Sequence, residues 1–105
     1  MVRDNVVPFR RPKPTKERAL TLIRKAVAES RVLWSTHSWE QMLARHILDS
    51  QVLTVLEQAE IDTGPRWDET YEDWVFTMTK LVSGRIVTAV VGIDEQEEVS
   101  VITAY

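Results

Sequence analysis

The stretch WVFTMTKLVSGRIVTAVVGI, residues 74–93, decides the fold. Trp74, Phe76, Met78 and Lys80 alternate with Val75, Thr77, Thr79 and Leu81. Alternation with a period of two marks a strand. Ser83-Gly84 then offers a two-residue hairpin turn. Arg85–Ile93 is β-branched and almost wholly apolar, the pattern of a central strand buried on both faces.

Beyond this hairpin, Asp94–Glu98 reads as an acidic connection and Val99–Tyr105 as a final strand. Before it, Gly64-Pro65 is a turn signal, and residues 60–68 supply a fourth strand if they pair. Further upstream the period changes to that of a helix. Val52, Leu53, Leu56 and Ala59 form one apolar stripe, with Asp49 as N-cap and Leu48 placed to staple onto Leu53. Trp39, Met42, Leu43 and His46 share one face of an earlier helix capped by Ser35-Thr36. Leu20, Ile23 and Val27, widened by Ala19 and Ala26, mark a first helix from a Thr15 cap to about Ser30. Its outer face is basic, with Lys16, Arg18, Arg24 and Lys25. The sum is an α+β domain: two to three N-terminal helices packed on one face of a small curved antiparallel sheet of three to four strands.

The 105 residues make one domain, over 15–105, preceded by a basic arm at 1–14 that holds Pro8, Pro12 and Pro14. No cysteine is present, which excludes disulfides, thiolate zinc sites and cysteine nucleophiles. No apolar run approaches the roughly 18 residues of a membrane span. Met1–Arg11 lacks the apolar stretch of a secretory signal. A cytoplasmic, bacterial-type domain without a membrane partner is expected. The net charge of −3 hides an asymmetry. Residues 1–31 carry nine Lys/Arg against three acids, a balance of +6, and residues 32–105 carry four against thirteen, a balance of −9. Such a split bears on partners rather than on fold.

Few residues are suited to chemistry. His37 opens the second helix, where it serves as a general acid/base or simply bonds local backbone. His46 lies nine residues on, on the packing stripe near the helix end. That spacing places the two histidines on different faces, so no zinc pair is expected there and no metal or cofactor is assigned. Trp34, Trp39 and Trp74 fall on apolar stripes and read as core. Trp67, in polar sequence, reads as an exposed ring able to stack a base or anchor a partner. Lys80 and Arg85 flank the hairpin turn, Arg45 ends the second helix, and Thr103 and Tyr105 alternate onto one face of the last strand.

Taken in order, these residues resemble a known family. The run from His37 through Met42 and Arg45 to Ile47 is similar to the histidine-led helix of the domain of unknown function family 4258. That helix usually reads His-Ala, then Arg-Met, then Arg-Gly-Ile. The following helix (Ser50–Glu60), the strand with Gly84-Arg85 and the ending Val101–Tyr105 fit as well, so the resemblance spans 35–105. Gln41 stands where that family carries Arg, and His46 where it carries Gly.

The family resembles RelE-like and BrnT-like toxins among the barnase- and colicin-like small ribonucleases. The resemblance implies metal-independent RNA cleavage. His37 would be base or acid, Arg45 and Arg85 would hold the scissile phosphate, and Thr103 would orient it. Lys80, Tyr105 and Trp67 would bind substrate. RNA and an antitoxin or other protein would be the partners. The competing expectation is an interaction module that keeps the fold without the activity, suggested by the acidic body, Gln41 and Trp67. A weaker one is nucleic-acid binding through the basic arm. Oligomeric state stays open at this level.

Overall fold

A computed structural model describes residues 12–105. Most of the basic arm, residues 1–11, therefore lies outside the described residues. The order is α1 (Lys16–Ala28), β1 (Leu33–Trp34), α2 (Thr36–Arg45), α3 (Asp49–Gln58), β2 (Ile61–Asp68), β3 (Asp73–Val82), β4 (Arg85–Ile93) and β5 (Val99–Ala104). The strands form one sheet in the order β1-β5-β4-β3-β2. Four of them make the antiparallel meander that the sequence patterns describe, with β2 as the fourth.

The fifth, β1, was not expected as a strand. Its Leu33 and Trp34 pair in parallel with Ser100 and Val101, so the sheet is mixed. A two-residue strand has too little alternation to read, and only its neighbour makes it one.

The α+β expectation otherwise holds, with the helices on one face. Trp74, Phe76, Met78, Val87, Ala89, Val91, Ile93, Val99 and Val101 form a single buried cluster with Ile23, Met42, Val52, Val55 and Leu56 of the helices. The opposite face keeps only a small cluster of Val75, Val90 and Ile102. Burial of β4 on both faces sets in at Val87; Ile86 is exposed.

Local chemistry sets each boundary. Thr15 Oγ1 accepts from Arg18 N at 3.0 Å and caps α1. Ser35 joins β1 to α2: its N–H donates to Val101 O at 3.1 Å, and its hydroxyl donates to Ile102 O at 2.8 Å. The same hydroxyl accepts from Ser38 N at 3.0 Å, so one residue caps the helix and ties it to β5. The α3 boundary shifts by one residue from expectation. Leu48 is the N-cap and Asp49 the first helical residue. Leu48 N donates to Gln51 Oε1 at 2.9 Å, so the Gln51 side chain reaches back to satisfy the backbone of a cap residue whose own side chain accepts nothing.

The tryptophans divide differently from their stripes. Trp74 is buried and Trp34 packs against the core, but Trp39 is 47% exposed, tilted against Trp34 at 5.3 Å. Trp67 is half-buried rather than exposed, meeting Trp74 edge-on at 5.2 Å.

The turn Ser83-Gly84 has φ of 51° and 81°, both positive as a tight hairpin requires. An added Cβ at Gly84 would touch nothing within 4 Å, so Gly84→Ala carries only backbone strain. That strain is about 1 kcal/mol. At Gly64 (φ +112°) an added Cβ would lie 2.6 Å from Val75 O, so Gly64→Ala should cost clearly more. Phe76 is fully buried, and Phe76→Ala should cost about 3–5 kcal/mol. Urea denaturation of the three variants checks this ranking.

Candidate functional site

The hairpin places Lys80 and Arg85 on the helix side of the sheet, in register with Val87 and Val82 respectively. Arg85 Nη1 donates to His46 O at 3.1 Å. A cation thus satisfies a carbonyl at the negative end of α2. Arg45, the last residue of α2, donates from Nε to Gln41 Oε1 at 3.2 Å. Gln41 therefore supplies an acceptor for Arg45.

His46 adopts the left-handed conformation, with φ 56° and ψ 43°, as the C-cap of α2. Ile47 N then reaches back to Met42 O at 2.9 Å. A left-handed cap favours a residue without Cβ, so His46 holds this position at a small cost. Arg45, His46, Arg85 and Lys80 therefore gather around one end of the molecule, where the β3–β4 hairpin meets the end of α2.

His37 and Thr103 do not join them. His37 is exposed in the first turn of α2. Nine residues of helical rise separate it from His46, about 13 Å. Among the described residues its side chain has no hydrogen-bonded partner. Thr103 pairs in register with Val90, whose side chain belongs to the face opposite the helices. The sheet stands between it and Arg85. Tyr105 pairs with Thr88 through two backbone bonds of 2.9 and 2.7 Å and is about half exposed. Trp67 stays on Trp74.

The profile of the family described as Domain of unknown function (DUF4258) matches residues 34–105. The chain belongs to this family. No curated protein and no solved structure gives a significant match. The match begins at Trp34, the second residue of β1, and includes Ser35, α2, α3 and β2 to β5, but not α1.

Sequence reasoning missed the exposed apolar pair beside the hairpin turn. Leu81 and Ile86 face each other across the strands and are 62% and 61% exposed. The alternation that put them on the non-helical face was readable, but not that these two positions of that face stay exposed while Val75, Val90 and Ile102 are buried.

A groove of about 430 Å³ lies elsewhere, lined by Lys13, Arg18, Leu22, Ile93, Glu95 and Glu97 among others. None of His37, Arg45, Lys80, Arg85 or Thr103 lines it. Arg18 Nη2 sits 3.1 and 3.0 Å from the two carboxylate oxygens of Glu97. Part of the basic N-terminal charge is thus spent on the acidic β4–β5 turn.

Replacing His46 by Gly should relieve the left-handed strain while keeping the backbone carbonyl that Arg85 holds. His46→Gly is expected to leave stability unchanged or raise it by up to about 1 kcal/mol. Arg85→Ala should lower it by about 0.5–1 kcal/mol through the lost helix-end bond. Thermal unfolding of both variants reads the opposite signs.

Proposed function

We propose that this chain is an interaction module of its family's fold that docks an acidic segment of a protein partner, an antitoxin-like chain included, on its hairpin end without cleaving RNA. The observation that carries this reading is the separation of His37 and Thr103 from Arg85. Metal-free RNA cleavage needs a base, an acid and a cation within hydrogen-bond reach of one phosphate. A histidine at the far end of α2 and a threonine across the sheet do not meet that requirement together with Arg85.

The hairpin end suits a protein better. At this end the hairpin carries Lys80 and Arg85 on its helix side and the exposed Leu81 and Ile86 on its other side. An extended partner segment that alternates acids with apolar residues has the same division, acids to one side and apolar groups to the other. The balance of −9 over residues 32–105 disfavours a long polyanion such as RNA, whose backbone follows many phosphates.

The second reading, a toxin-type ribonuclease, is favoured by one observation: Arg45, His46 and Arg85 lie together. In that reading His46 takes the proton-carrying role in place of His37.

Two measurements on the full chain decide between them. Single-stranded RNA incubated with the protein should remain intact. A synthetic peptide of alternating Glu and Leu should bind, and Lys80→Glu should weaken that binding about tenfold. RNA cleavage that disappears in His46→Ala or His37→Ala would establish the ribonuclease instead.

A further inference from the structure

The two ends of the non-helical sheet face differ. At the hairpin end Leu81 and Ile86 are more than half exposed. Toward the other end of the same two strands Val75 is 1% exposed and Val90 8%, and Ile102 of β5 is 9% exposed. Side chains on a sheet stand upright, so neighbours in the sheet screen their flanks and leave their tips bare. Closing the tips takes a second layer. All three helices join the cluster on the other face, so no described helix supplies that layer.

Asp73 shares the covered end and is itself buried. An ideal Cβ on Gly92 would lie 2.7 Å from Asp73 Oδ2 and 3.0 Å from Ile102 Cδ1. Gly92 therefore leaves room for a carboxylate to lie against the apolar patch. Asp68 stands opposite Asp73 in register, and the acidic turns lie at this same end. A cover for this half of the face needs apolar side chains with cations beside them.

We propose that residues 1–11 are that cover. The chain's own N-terminal segment lies across the sheet at its acidic end, with Val6, Val7 and Phe9 on Val75, Val90 and Ile102, and Arg10 and Arg11 toward Asp68 and Asp73. Composition fits: the segment holds Val2, Val6, Val7 and Phe9, and three arginines against Asp4 alone. Continuity fits as well. Pro12, where the described residues begin, lines a groove with Ile93 and Glu95. Ile93 pairs with Trp74, next along the ladder from the Val75–Gly92 pair. Phe9 stands three residues before Pro12, at most about 11 Å of chain, which spans about three strand residues. The burial is that of a single chain, so a second copy is not its source. Seated there, the basic arm neutralises the acidic end of its own domain and its arginines are not free to recruit a polyanion. The hairpin end stays open.

Methyl-edited nuclear Overhauser spectra of the full chain test this. Phe9 ring protons should show cross-peaks to the methyl groups of Val75, Val90 and Ile102. Phe9→Ser should abolish them, keep the cross-peaks of Phe76 within the core, and lower the unfolding midpoint by roughly 4–8 °C. Arg10→Glu combined with Arg11→Glu should lower the midpoint as well. The absence of Phe9 cross-peaks to all three methyl groups, or an unchanged midpoint in either variant, would overturn the proposal. So would cross-peaks that arise only between labelled and unlabelled chains in a mixed sample, which would assign the cover to a second copy.

Discussion

From Trp74 opposite Ile93 to Val82 opposite Arg85, the two central strands pair without a break. Everything else is placed by that ladder. Because side chains alternate across a strand, one unbroken register puts Trp74, Phe76, Met78, Val87, Ala89 and Val91 on the same side. A slip of one residue would send all of them to the other face. That apolar side is what α3 covers, and α1 packs on α3 in turn. Burial at about 25 cal/mol per Å² makes this face the main source of stability. The caps and turns adjust it by a kcal/mol or so each.

The geometry of the candidate site follows from how α2 is hung on this frame. Ser35 ties the start of α2 to Val101 and Ile102 of β5, while Arg85 of β4 holds its end through the His46 carbonyl. The helix is therefore fixed at both ends along the sheet. The same two anchors keep His37 and Arg85 apart, since they sit at opposite ends of one rigid rod. A constellation that looks compact as a motif is spread by the length of a helix.

Charge follows the topology of the meander. The β2–β3 and β4–β5 turns fall at one end of the strands, and they carry Glu69, Glu72, Asp94, Glu95, Glu97 and Glu98. The β3–β4 turn falls at the other end, flanked by Lys80 and Arg85. Neighbouring turns of an antiparallel meander must alternate between ends, so a bias written turn by turn becomes a polarity of the whole domain. Arg18 bonds to Glu97 at the acidic end, which turns part of the N-terminal positive charge inward. No described helix is long and apolar enough to cross a membrane.

The sequence by itself determined the elements whose signals are local. The alternation at 74–81, the positive-φ turn at Ser83-Gly84, the helical stripes and the Ser35 cap were all legible, because each depends on residues within a few positions. So was the family, through the His37, Arg45 and Gly84-Arg85 motifs in order. Tertiary structure alone decided what depends on distant neighbours. It made a strand of Leu33–Trp34 by setting it beside β5, left Trp39 outside the core, and turned Trp67 onto Trp74. It also put Thr103 on the far side of the sheet from Arg85. In a sheet the face a residue occupies is set by register and bulges against other strands, such as the shift between Val90 and Val91. No count of spacing within one strand contains that information.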